Sequence, residues 1–167
     1  MHTRFIRFAP LLLAALAALI PATAMADKPV REGVPDSPVT LDASICGFGV
    51  HETTLTDNEF ITTFSGGKQI VTGALTSTLT NDQTGKSIAI NISGPGSIVQ
   101  NGDGTQTFTL LGRSLIWLFP NELGQGSPGR LILTSGRVAF HVDANFNVLS
   151  FDITSARVQD LCAALAG

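Results

Sequence analysis

Two histidines stand next to carboxylates: His51 beside Glu52, and His141 two residues before Asp143. Two imidazoles and a carboxylate form a donor set suited to zinc or iron, if strand pairing brings them together. The spacing does not require it. Both histidines fall on the polar phase of their runs, so solvent-exposed side chains are the weightier expectation and no metal is assigned. Asp143-Ala144-Asn145-Phe146-Asn147 opens like a calcium loop, but Val148 and Thr154 stand where such a loop needs Gly and Glu. A hairpin turn of Asn and Asp accounts for it better, as it does for Asn101-Gly102-Asp103-Gly104. Gly124-Gln125-Gly126-Ser127-Pro128-Gly129 matches G-x-G-x-x-G. It lies between β-like runs with no helix after it, so it lacks the helix-terminal amides that cradle phosphate. No nucleophile elbow, H-E-x-x-H or P-loop is present, and no cofactor is expected.

Arg113, Arg137 and Arg157 sit in or at the edge of apolar runs. A buried arginine needs a carboxylate partner, for which Asp152 or Glu122 would serve, and such a pair inside a barrel would bind an anionic head group. An outward arginine with its stem lying on the sheet is the plainer alternative. Trp117, the single tryptophan, lies in Leu115-Ile116-Trp117-Leu118-Phe119. Five consecutive apolar residues cannot all face one side of a sheet, so this run is buried on both faces, lines a pocket, or meets another subunit. The residues singled out as ligand or partner contacts are therefore Trp117, Phe119, Arg113, Arg137 and His141.

These residues are carried on short runs rich in Thr, Ile, Val and Phe, separated by Gly, Asn and Asp turns. Leu75 and Leu79 alternate with Thr76, Thr78 and Thr80; Ile88, Ile90 and Ile92 alternate with Ala89, Asn91 and Ser93. Leu149, Phe151 and Ile153 share one phase of the final run, and Asp160–Leu165 has helical composition. About nine such runs and no long amphipathic helix predict an all-β, antiparallel fold. A closed barrel of eight or nine strands is preferred over a sandwich, because the connections are short and closure removes free edges. Gly73, Gly112 and Gly136 interrupt runs and mark bends. Leu111-Gly112-Arg113-Ser114 and Ser135-Gly136-Arg137-Val138 read as two similar strand corners.

The organisation is read as a signal peptide, 1–26, a Pro-rich leader, 27–45, and one β domain, 46–167. Arg4 and Arg7 precede an Ala/Leu run that ends at Ala24-Met25-Ala26, a small-x-small cleavage form. The run is shorter than the ~20 residues a membrane span needs, and no later stretch is long and apolar enough. The chain of 167 residues carries a net charge of −3, which disfavours a nucleic-acid partner. Cys46 and Cys162 are the only cysteines; export and an even count make a disulfide the default.

Cys46-Gly47-Phe48, the Thr84-Gly85-Lys86 turn leading to Asn91-Ile92-Ser93-Gly94-Pro95-Gly96, the Gly112-Arg113-Ser114 corner and Asp160-Leu161-Cys162-Ala163-Ala164-Leu165 resemble small secreted β-domain proteins of actinobacteria. The resemblance covers about residues 46–165. It implies export, paired cysteines and a β domain, and carries over no activity or site residue. In strand count and size the chain is also loosely similar to allene-oxide-cyclase and dirigent-type barrels, which bears on fold alone.

The functional expectation is a secreted, non-catalytic module that holds a small apolar ligand or an extracellular protein partner, with homo-oligomerisation as a further option. A cyclase or isomerase using a barrel cavity, and a purely structural domain, are the alternatives. Mass spectrometry of the exported protein is expected to show a chain beginning at Asp27 with no thiol open to labelling; an intact N-terminus or two labelled thiols would overturn these readings.

Overall fold

The computed structural model describes residues 28–167, so the expected signal peptide lies outside the described residues. All ladders are antiparallel. The strands are β1 (Val30–Gly33), β2 (Thr40–Leu41), β3 (Val50–Asp57), β4 (Phe60–Thr63), β5 (Gln69–Thr72) and β6 (Leu75–Asn81). They continue with β7 (Ser87–Asn91), β8 (Gly96–Gln100), β9 (Gln106–Leu110), β10 (Arg113–Leu118), β11 (Arg130–Val142) and β12 (Val148–Asp160). Two short helices, α1 (Ala43–Cys46) and α2 (Leu161–Leu165), sit before β3 and after β12. Thus the leader expected at 27–45 contributes two strands and most of α1.

An eight-stranded sheet runs β1-β4-β5-β8-β9-β11-β10, with β12 on the other edge of β11, and a four-stranded sheet runs β2-β3-β6-β7. The register shows how the two sheets arise. Phe60 pairs with Thr72 and Asp57 with Leu75, so the β4–β5 ladder continues into the β3–β6 ladder without a slip. The same continuity joins β5–β8 to β6–β7, and β9–β11 to β10–β11. Between β7–β8 and β9–β10 it is carried by Leu111 N–H donating to Pro95 O (2.8 Å) and Arg113 N–H to Ser93 O (3.3 Å). The chain is therefore one up-and-down meander of long strands, each bent near its middle.

The bends line up across neighbouring strands. Gly94 and Gly112 face each other: a Cβ on Gly94 would overlap the carbonyl of Leu111, and Gly112 has φ +91° with Gly94 Cα 3.0 Å from its Cβ position. Only residues without a Cβ let two backbones meet this closely. Gly136 N–H donates to Gly112 O at 2.8 Å, so the two look-alike corners of the sequence are hydrogen-bonded neighbours. Gly73 lies on the same line, against the backbone of Asn58 and Glu59.

The closed barrel expected from sequence does not form. The described residues place no strand on the outer edge of β12, and the bent meander splits into two sheets instead of returning to its first strand. Leu149, which shares the phase of Phe151 and Ile153, is 58% exposed on this edge strand, while those two pack inward. The alternation identifies the face, but an edge strand has too few neighbours to cover every residue on it.

Two apolar clusters hold the meander. The larger contains Val50, Leu79, Ile90, Leu131 and Leu133, and is closed at one end by Ile45 of α1 and Leu161 and Leu165 of α2. Cys46 and Cys162 are disulfide-bonded across that end, 116 residues apart in sequence. A loop of that length corresponds to roughly 4–5 kcal/mol of chain entropy removed from the unfolded state. Asp42 and Asp160 cap the two helices, accepting from Ser44 N–H (2.8 Å) and Ala163 N–H (2.9 Å). The fully buried Asn81 donates to Leu165 O at 3.1 Å, tying β6 to the end of α2. The smaller cluster gathers Ile116, Leu118, Ile132 and Val138, with Phe140 and Phe151 against them. Adjacent residues of β10 and β11 therefore enter different clusters, so this pair is buried on both faces.

Gly94→Ala is expected to lower stability by about 2–4 kcal/mol, through backbone overlap at the corner. Gly102→Ala, where an added Cβ meets nothing within 4 Å, should be nearly silent. Urea denaturation of the two variants checks this, and equal midpoints would refute a glycine-dependent bend.

Candidate functional site

The concave side of the bent meander encloses an open cavity of about 390 Å³. That lies in the size range of small-molecule sites. Its walls are apolar: Val71, Leu75, Ile92, Ile98, Leu115 and Trp117 among others. Trp117 and Leu115 reach it because they share the phase of β10 opposite to Ile116 and Leu118, which fill the smaller cluster. Trp117 stays 37% exposed, so its ring is a wall rather than core.

The segment Val34–Val39, between β1 and β2, crosses one side of the cavity as a strap. Three hydrogen bonds pin it: Val34 N–H to Glu59 O (3.0 Å), Glu52 N–H to Val39 O (2.8 Å), and Thr54 Oγ1 to Asp36 Oδ1 (2.7 Å). Pro35 and Pro38 restrict its backbone.

Four carboxylates line the cavity: Asp36 on the strap, Glu52 on β3, and Asp57 and Glu59 at the β3–β4 corner. Among the described residues, no Lys, Arg or His lines it. Asp57 Oδ1 accepts from Glu59 N–H at 2.8 Å, and Asp36 is engaged by Thr54. Burial, and then the neighbouring charge of Asp57, pushes the Glu59 carboxyl above its ordinary range. Sequence reasoning paired Glu52 with His51, but strand alternation sends them to opposite faces. Glu52 faces the cavity, while His51 Nδ1 is paired with Asp82 on the outer side. The carboxylates were missed because nothing in the sequence marks Asp57-Asn58-Glu59 as a corner over a cavity rather than an ordinary hairpin turn.

Of the five contacts proposed from sequence, Trp117 lines the cavity. Phe119 is 47% exposed beyond the end of β10. Arg113 Nε donates to Asn91 O at 2.9 Å, bracing the corner between the sheets, and borders a smaller hollow of about 150 Å³ with Arg157. Arg137 meets Asp152 at 3.5 Å, both half exposed, a geometry that contributes little. Asp152 is held low mainly by the amide and hydroxyl of Thr154, with Arg137 the smallest influence. His141 Nε2 lies 2.7 Å from Thr107 Oγ1 and 2.9 Å from Asn101 Nδ2, which bind it into the β8–β9 turn.

The two suspected ion loops use their own carboxylates internally. Asp143 accepts from Asn145 N–H, Asn147 N–H and Asn147 Nδ2, the Asn147 side chain doing most to hold it low. Asp103 accepts from Thr105 N–H and Oγ1, with the same sense of shift. Among the described residues, no group of three His, Cys, Asp or Glu is placed to hold a metal ion. His51, Thr80 and Ser87 lie in register across β3, β6 and β7, with Thr80 and Ser87 hydroxyls 2.9 Å apart. This acid–imidazole–hydroxyl row lies on the outward face of the sheet, away from the cavity.

No protein-family model, curated protein or solved structure matches this chain.

Glu59 is protonated more readily in the folded than in the unfolded chain, so folding is favoured below the ordinary glutamate range and loses that advantage as pH rises through the raised value. Glu59→Gln is expected to stabilise the protein near neutral pH and to match the parent at about pH 3. Chemical denaturation at both values checks the sign; a variant less stable at neutral pH would refute it.

Proposed function

We propose that this is an exported binding module that holds a small, largely apolar molecule in the cavity beside Trp117. The observation that carries the reading is an unfilled concavity of about 390 Å³ with an apolar wall, in a domain whose other inward faces are packed. A domain selected only for stability gains by filling such a space with side chains, since unfilled apolar volume costs stability. The disulfide is compatible with an extracellular setting, and no helix among the described residues is long and apolar enough to cross a membrane. The continuous meander curling around the cavity supports reading the fold as a barrel left open at one seam.

A second reading has one observation in its favour. A carboxyl raised by burial beside an apolar cavity suits proton transfer, so Glu59 would serve as the acid–base group of an isomerase or cyclase. The exposed run of Trp117, Phe119 and Leu123 likewise favours a protein contact at the cavity rim.

A neutral apolar dye such as Nile red is expected to bind one per chain and to alter Trp117 emission, whereas Val71→Trp, which fills the cavity from β5, abolishes both signals. Dye binding unchanged in a folded Val71→Trp variant would overturn the cavity reading.

A further inference from the structure

We infer that the cavity selects an amphiphilic cation: an apolar body against Trp117 and its neighbours, with an amine or ammonium head directed to the acidic part of the wall, where Glu52 and Glu59 have no partner of their own. This rests on the reading of the cavity as a ligand site and specifies the chemical class of ligand.

The cavity wall is asymmetric. One part is hydrocarbon and an indole ring; among the described residues, every ionisable group in the remainder is a carboxylate. Two of these acids are engaged within the fold, Asp36 by Thr54 Oγ1 and Asp57 by the amide of Glu59. Glu52 and Glu59 differ: among the described residues neither side chain accepts a hydrogen bond or meets a basic group within ion-pair distance. Elsewhere the described acids are mostly consumed, as turn and cap acceptors at Asp42, Asp103, Asp143 and Asp160, and in ion pairs at Asp82 and Asp152.

Partly buried carboxylates without partners cost folding free energy, and a bound cation would remove that cost. The raised carboxyl of Glu59 reports the same unmet demand for positive charge. A fatty acid or another anionic amphiphile would meet four carboxylates and, among the described residues, no basic side chain, so the lining disfavours it. A neutral molecule would satisfy the hydrocarbon wall and leave the carboxylates unpaired.

The test compares decylammonium, 1-decanol and decanoate below their aggregation limits, by calorimetry and by emission of Trp117. Decylammonium is expected to bind about tenfold or more tightly than decanol, with decanoate not binding. Glu52→Gln/Glu59→Gln should bring decylammonium down to the affinity of decanol; the single Glu52→Gln should narrow the gap if the double variant does not fold. Equal binding of decanol and decylammonium overturns the cation inference and leaves the apolar-ligand reading standing. Tighter binding of decanoate overturns it likewise. Binding of none of the three overturns both.

Discussion

The structure depends on the close approach of backbones at Gly94 and Gly112. A flat antiparallel meander of long strands would offer one apolar face and need a second layer to cover it. Here the strands fold across themselves, and the layer is supplied by their own second halves. That requires neighbouring chains to meet where a Cβ would collide with a carbonyl, which glycine alone permits. The hydrogen bond from Gly136 to Gly112 extends the crease to the long β11–β12 hairpin, so the corners reinforce one another.

One end of the folded meander is sealed: α1 and α2 pack leucine and isoleucine side chains into the larger cluster, Asn81 satisfies a helix carbonyl, and the disulfide joins the helices. The cavity, nearer the bend, is crossed on one side by the proline-bearing strap. Held by three hydrogen bonds, the strap lines the concavity with Val34, Pro35 and Val39 as well as Asp36. Rigidity at the sealed end and open volume beside the strap are consequences of one bend.

The electrostatics follow from strand alternation. On β3, His51 and Glu52 are neighbours in sequence and opposites in space, one paired with Asp82 outside, the other facing the cavity. Asp42 caps a helix and Asp103 and Asp143 close turns, which lowers their affinity for protons; Glu59 is shifted upward because desolvation is not compensated. The protein thus concentrates its uncompensated negative charge where its apolar surface is concave.

Much of this was legible in the residues themselves. The period-two alternation gave the β class and the inward face of Leu75 and Leu79; the interrupting glycines, Gly73, Gly112 and Gly136, marked the bends; five apolar residues around Trp117 left two-sided burial, a pocket wall and a subunit contact open, and the structure makes Leu115 and Trp117 a cavity wall; and two cysteines in a chain read as exported implied their bridge. These are local properties, set by the geometry of the strand and the absence of a Cβ. Barrel closure, the exposure of Leu149, the separation of His51 from Glu52, and the meeting of Asp36, Glu52, Asp57 and Glu59 over one cavity are not local. They depend on which strands become neighbours and how far each corner turns, and those are decided by the packing of both halves of the meander together.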